Sequence, residues 1–299
     1  MINVDTVFVL GAGASEPFGL PLGVGLYRNV IDHFGRNGDN RKLLLDTTSH
    51  SENHLETFLN ALQRSGLTSV DAFLERRYEE FLDIGKAAMA IQLMLLEQEG
   101  LLWRIPNWML YLYGRMGSES FDDFSGNDVS FVTFNYDRSL EHFLCTSLAN
   151  SYGRSIEDSA KEIKQIPIIH LHGRLGYLPW ENENGRAYGD KTIDQRIVDL
   201  CVREMRVVHE DITDRDADFA EAKRLLKGAK RVYLMGFGFG SKNVERIDLP
   251  SLAPEIFYGT AYGLTDAETA SSRKLCGGRV SLYNGSPCLE FLRAQAQLD

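Results

Sequence analysis

Residues Thr6-Val-Phe-Val-Leu-Gly-Ala-Gly-Ala-Ser15 carry a β-branched and aromatic run straight into a glycine-rich turn that ends on a hydroxyl. This junction constrains the fold more than any other feature of the chain. A continuous apolar run suits a strand buried on both faces, and such strands belong to parallel sheets covered by helices. A glycine turn behind the strand lets backbone N–H groups approach an anion, commonly the pyrophosphate of a nucleotide. The same residues also suit a plain strand-to-helix turn whose glycines serve backbone geometry alone. Both readings of the turn stand at this level.

Further runs of strand character cover 128–133, 166–171, 230–235, 256–261 and 279–283, and most end at Gly, Asn or Asp. Helical segments separate them. The economical architecture is a single α/β domain with a doubly wound, mostly parallel, Rossmann-like sheet. Two insertions interrupt the alternation. The first, about 36–125, is helical: Val70, Phe73, Leu74, Phe81 and Leu82 recur at helical spacing. Within it, 86–97 is apolar on almost every side and predicts a buried helix, with Trp103, Trp108, Tyr111 and Tyr113 continuing its cluster. The second, about 174–213, a loop/helix insertion, holds Pro179, Asn182, Asn184 and Gly185 before a polar, helix-capable stretch, and predicts a mobile loop near the site. An amphipathic helix follows over 215–227, with Phe219, Ala222, Leu225 and Leu226 on one face and Gly228 as its stop. The strand 230–235 then enters a second glycine turn, Gly236-Phe-Gly-Phe-Gly240.

Composition excludes several classes. The net charge is −10 over 299 residues and no Lys/Arg cluster appears, so direct nucleic-acid binding is not expected. Cys145, Cys201, Cys276 and Cys288 form no C-x-x-C pair, which argues against a zinc ribbon and a disulfide framework and predicts buried free thiols. No signal peptide is evident at the start. The most apolar stretch, Ala87–Leu96, falls short of the about 20 residues that span a bilayer. A cytoplasmic chain without a membrane partner or an added sensor domain is expected. Neither Gly-x-x-x-x-Gly-Lys-Ser/Thr nor Gly-x-Ser-x-Gly occurs.

Three segments can carry chemistry. Gly11-x-Gly13 opens like a dinucleotide fingerprint, but Glu16 stands where a third glycine belongs, and Asp32, about 20 residues on, sits in an amphipathic helix. Ser15 caps the next helix or bonds a phosphate. In Thr133-Phe-Asn-Tyr-Asp137, Asn135 stands at a strand's carboxyl end and both donates and accepts, so it can fix a ribose hydroxyl or a water. Asp137 caps the following helix or takes part in chemistry. In Ile169-His-Leu-His-Gly173, strand alternation predicts His170 and His172 on one side, without a third metal ligand. His172 is a proton-exchanging group near neutrality or a hydrogen-bonded core histidine. His50 and His54 read as a solvated helix face, and Thr68 with Asp71 has the spacing of a capping box.

Taken in order, Gly11-Ala-Gly-Ala-Ser15, Asn135 with Asp137, His172-Gly173 and the late glycine turn resemble the sirtuin-like NAD-consuming family. The likeness is closest to the prokaryotic branch that hydrolyses NAD, often in antiphage defence, and it spans about 5–285. It implies that Gly11, Ala12, Gly13, Ala14 and Ser15 cradle the pyrophosphate and neighbouring ribose, with Asp137 beside them. It implies that Asn135 holds the nicotinamide ribose and orients the attacking water, and that His172 is the catalytic histidine. Gly236 and Gly238 would approach the ADP phosphates, and Asn284 would lie near the adenosine. The chain departs from the deacetylating sirtuins in lacking their two cysteine pairs. Phe134 stands where their motif has Gln, and the late turn lacks hydroxyl residues.

The expected function is therefore an NAD glycohydrolase that releases nicotinamide and ADP-ribose, with NAD as substrate and no metal. A non-catalytic NAD or ADP-ribose sensor or scaffold, and a protein ADP-ribosyltransferase, are the alternatives. The leucines and aromatics of the helical insertion fit assembly into a homo-oligomer or with a partner defence protein.

Overall fold

The computed structural model describes residues 1–36, 38–207 and 213–298. Among them one sheet is built from β1 (Thr6–Leu10), β2 (Val129–Thr133), β3 (Ile168–His170), β4 (Arg231–Met235), β5 (Ile256–Thr260) and β6 (Ser281–Tyr283). The strands are all parallel and lie in the order β3-β2-β1-β4-β5-β6. This is a Rossmann-like doubly wound sheet whose order reverses between β1 and β4, the point at which such sheets open a crevice for ligands. Register then fixes what meets there. Leu10 is level with Thr133 and Met235, and Thr133 with His170. The chain segments that begin at Gly11, Phe134, Leu171 and Gly236 therefore leave the sheet side by side.

Between β1 and β2 the chain forms α1 (Ala12–Ser15), α2 (Gly23–Gly35), α3 (Asp39–Asp46), α4 (Glu52–Arg64), α5 (Val70–Arg76), α6 (Tyr78–Leu96), α7 (Glu99–Leu102) and α8 (Trp108–Met116). α9 (Ser139–Tyr152) and α10 (Ile156–Ile163) join β2 to β3, and α11 (Gln195–Glu204) and α12 (Thr213–Gly228) precede β4. α13 (Ser241–Arg246), α14 (Asp266–Leu275) and α15 (Cys288–Gln295) complete the chain. No described helix is long and apolar enough to cross a membrane.

β1 lacks polar alternation because both of its faces are covered. Phe8 stacks on Phe131 and Tyr233 at 5.5 and 5.4 Å on the face packed by α8, α9 and α15. Val7 and Val9 point the other way, with Val132, Val232 and Leu234, onto Ala222 and Leu226 of α12, Val244 of α13 and Ile247 just past it. A third core lies off the sheet and joins α2, α4, α5, α6 and α11. α6 is buried almost without a break from Ile84 to Met94, as its all-round apolarity predicts. Trp103, Trp108, Tyr111 and Tyr113 do not continue that cluster: they pack on the sheet's α8–α9 face, with Trp108 Nε1 donating to Ala14 O at 2.7 Å. The first insertion thus contains a helical subdomain and a separate return helix that covers the sheet.

The second insertion, over the part described, combines α11 with a segment tied down by buried ion pairs. Arg138 and Glu97 are fully buried and paired at 2.8 Å, and Arg186 reaches the other Glu97 oxygen at 2.5 Å. Arg138 Nη1 donates to the carbonyls of Tyr177 and Arg186, both at 2.8 Å. Lys191 Nζ donates to the α6 carbonyls of Met94 and Leu95 and to Glu97 O, satisfying groups that a helix end leaves unpaired. Residues 208–212 of this insertion lie outside the described residues. All four cysteines are free and buried; burial pushes the thiols of Cys145, Cys276 and Cys288 up to about 12 and that of Cys201 to about 11.

Candidate functional site

The two glycine turns lock into each other before they meet any ligand. Gly11 N–H donates to Met235 O and Gly13 N–H to Gly236 O, both at 3.0 Å. A Cβ on Gly11 would come within 2.5 Å of Gly236 O, and one on Gly13 within 2.8 Å of Gly236 Cα. Gly236 has φ +59, and its Cβ would meet Ala14 N at 2.1 Å. These three glycines are required by the close approach of two backbones, the plainer of the two readings the sequence allows. Gly11, Ala12, Ser15 and Gly238 go on to line a cavity, whereas Gly13, Ala14 and Gly236 stand behind its wall.

That cavity, about 430 Å³, opens at the carboxyl ends of β1, β2, β3 and β4 and is roofed by α5 and the Leu20–Leu26 segment. Its size is that of a small-molecule site. Asn135, Asp137 and His172 reach it from two different strand ends, together with Phe134, Tyr136 and Phe237. A larger open cleft of about 860 Å³ lies between α6 and α11, walled by Asp83, Asp194, Arg196, Asp199 and Arg203. No glycine turn or strand end reaches it, and its charged walls face solvent, so the smaller cavity is the candidate site. His50 lines that outer cleft, its pKa lowered by burial and by the neighbouring His54. The two rings meet Nδ1 to Nδ1 at 3.2 Å, so this pair is half-buried rather than a solvated face.

Asn135 is held rigidly. Its Nδ2 donates to Gly11 O and to Ser15 Oγ, both at 2.9 Å. Ser15 Oγ in turn donates to Asp137 Oδ2 at 2.6 Å, and Asp137 Oδ1 accepts the Ser139 N–H at 3.1 Å in the first turn of α9. Asp137, one residue before the N-cap Arg138, thus satisfies the first N–H of α9 and orients Ser15 at once. With both amide hydrogens engaged, the Asn135 carbonyl oxygen remains as an acceptor for a hydroxyl or water. Burial raises the Asp137 pKa, against the bonds from Ser139 and Ser15.

His172 stands edge-on to Phe134 at 5.3 Å and beside Tyr136 at 6.2 Å. Its position depends on Gly173, whose φ is +68 and whose Cβ would sit 1.8 Å from Glu204 O. His170 does not share its side. β3 ends at His170, so strand alternation no longer governs His172. The His170 ring turns instead toward the sheet's α9 face, with Nδ1 3.0 Å from Asn135 O and Nε2 2.5 Å from Glu141 Oε1. Among the described residues no group of three or more His, Cys, Asp or Glu is arranged to hold a metal.

Burial works against the Glu141 carboxylate, yet the charge and hydrogen bond of His170, with Arg174 nearby, hold its pKa below the ordinary 4.5. A carboxyl depressed on folding contributes stability above its unfolded pKa and loses it as pH falls through the folded value. The urea midpoint is therefore expected to fall on acidification below pH 4.5. Glu141→Gln should flatten that limb when midpoints are plotted against pH.

Two predicted residues take other places. Asn284 follows the outer strand β6, donates to Asp266 Oδ1 at 2.7 Å and is not among the cavity's lining residues. Asp71 is not half of a capping box: α5 starts at Val70, and Ser69 caps it by accepting from Ala72 N. Asp71 is freed to line the cavity, where Tyr136 Oη donates to its Oδ1 at 2.6 Å. Burial raises its pKa, against that bond. Nothing in the local sequence distinguishes Asp71 from a helix-start acid; the Tyr in Asn135-Tyr-Asp137 was the available hint.

Fold and cavity together define a Rossmann-like doubly wound α/β protein with a ligand-sized pocket at its switch point. Compared with models of protein families and with curated proteins, the chain matches none.

Proposed function

We propose that the chain hydrolyses NAD to nicotinamide and ADP-ribose. One observation carries this reading: Ser15, Asn135, Asp137 and His172, from three separated segments, line one cavity beside the paired glycine turns. The glycosidic bond of NAD joins C1′ of a ribose to a cationic pyridinium. Its electron pair leaves with nicotinamide, which needs no proton. Water adds to the oxocarbenium-like C1′ and loses one proton. A rigid amide oxygen orients that water, and an imidazole accepts its proton, each contributing about 10²–10⁴-fold. Asn135, with both hydrogens already committed, presents that oxygen, and His172 supplies the imidazole.

The test is to incubate the purified chain with NAD and follow nicotinamide release by chromatography. His172→Ala is expected to slow release about 10²-fold. Release at an undiminished rate in that variant removes this mechanism. NAD that binds but is never cleaved supports a sensor instead, and label from NAD retained on a protein target supports ADP-ribosyl transfer.

A further inference from the structure

On the reading of the cavity as an NAD site, its walls carry the wrong charge for a phosphate. Among the described residues that line it there is no lysine or arginine, while Asp71, Glu75 and Asp137 all do. A pyrophosphate with two negative charges entering beside the Glu75 carboxylate gains from a cation, because like charges at close range are costly in a partly desolvated site. Among the described residues, Lys242 supplies one at the rim. Its Nζ lies 2.9 Å from both carboxylate oxygens of Glu75. Gly240 and Asn243, on either side of it in the chain, both line the cavity, so the lysine stem starts at the cavity's edge. The pair also joins two elements beside the cavity, since Glu75 belongs to α5 of the helical subdomain and Lys242 to α13 behind the second glycine turn.

The two members differ in freedom. The Glu75 side chain is 13 % exposed and the Lys242 side chain 57 %. An ion pair with one member this exposed contributes little to stability, so it is readily exchanged. Lysine is a compact cation on a flexible stem with three donors, suited to moving between two anions. The turn itself, Gly-Phe-Gly-Phe-Gly, carries no side-chain donor for a phosphate.

We propose that Lys242 exchanges partners: it leaves the Glu75 carboxylate when a dinucleotide binds and pairs with the pyrophosphate. Glu75 then acts as the stand-in anion that keeps the ammonium at the rim and competes with the ligand for it.

This arrangement has a signature that a structural ion pair lacks. Removing either half of a structural pair has the same sign of effect. Removing the halves of an exchanging pair has opposite signs for a phosphate ligand. The measurement is calorimetric affinity of the full-length chain for ADP-ribose, which holds the pyrophosphate and is not consumed, and for adenosine, which lacks it. Lys242→Gln is expected to weaken ADP-ribose about tenfold, the loss of one charge-assisted hydrogen bond. Glu75→Gln is expected to tighten it about threefold. Lys242→Arg should retain most of the affinity, and adenosine should bind all forms alike. Raising the salt concentration should shrink the difference between the wild type and Lys242→Gln. Thermal melts establish that each variant is folded. Shifts of the same sign in the two Gln variants, or none, overturn the exchange while leaving the NAD site standing. Failure of the wild type to bind ADP-ribose or NAD overturns both.

Discussion

On the proposed NAD hydrolysis, replacing Asn135 with aspartate is expected to cut nicotinamide release about 10³-fold, although the side chain keeps its size and shape. The reason is direction. Asn135 Nδ2 donates to Gly11 O and Ser15 Oγ, and Ser15 Oγ–H is committed to Asp137 Oδ2. An aspartate offers an acceptor where each of those contacts needs a donor. Gly11 O accepts only, so it faces the new oxygen with no hydrogen between them. Ser15 can supply a hydrogen by turning its hydroxyl, but Asp137 then loses its own. Two neighbouring carboxyls in one partly buried wall must also share protons, which pushes one of them toward its neutral form. The amide oxygen proposed to orient the water is thereby displaced. Asn135→Ala provides the comparison: it removes the oxygen without creating the conflict. A structural origin for any rate loss is checked by near-ultraviolet dichroism and a thermal melt. An Asn135→Asp enzyme as fast as the wild type would show that no oriented amide is required.

The second large effect concerns stability. Glu97→Ala is expected to destabilise the chain by about 3–5 kcal/mol, measured as a shift in the urea midpoint. The Glu97 and Arg138 side chains are fully buried, and that of Arg186 is 3 % exposed. Both guanidiniums bond the same carboxylate, which also accepts the Gly189 N–H at 3.1 Å. Taking away the carboxylate leaves two cations in the interior with only carbonyl partners, against a total stability of about 5–15 kcal/mol. Glu97→Gln keeps acceptor and shape but loses the charge, and should fall between. By contrast, breaking the exposed Glu221–Arg224 pair by Glu221→Ala should leave the midpoint unmoved. If Glu97→Ala is as mild as Glu221→Ala, the cluster does not secure the second insertion. Loosening that insertion should also reach the cavity, because Gly173 and Met205 form a bridge beside His172, and Arg206 N–H donates to His172 O at 2.8 Å.

The strands were legible because burial on both faces leaves a compositional mark. Apart from Thr6, Ser130, Thr133 and Arg231, β1, β2 and β4 are apolar, and their runs agree with the observed strands to within a residue or two. The approach of Asn135 and His172 to one cavity was legible for a related reason: each is a polar residue placed just past an apolar strand, and parallel register brings strand ends together. The errors also share a cause. Trp108 has helical spacing whether it packs on α6 or against Phe18, and periodicity states only that a face is apolar, not which neighbour covers it. Asp71 carries a capping spacing whether Thr68 or Ser69 enters the helix first, and one residue of difference moves it from a cap to a cavity wall. His170 and His172 obey alternation only while the strand lasts.

The amino-acid sequence by itself determined a parallel α/β sheet, the strand ends that carry polar groups, and the glycines on which two turns depend. These follow from local pattern, since a residue's neighbours in the chain set its backbone geometry and its apolar face. Only the tertiary structure decided that Gly13 and Gly236 serve each other, that Glu97 gathers Arg138 and Arg186, and that Asp71 and Glu75 bring carboxylates over the cavity. Those are contacts between residues distant in the chain. They arise from strand register and helix packing, which depend on the whole buried surface rather than on any one segment.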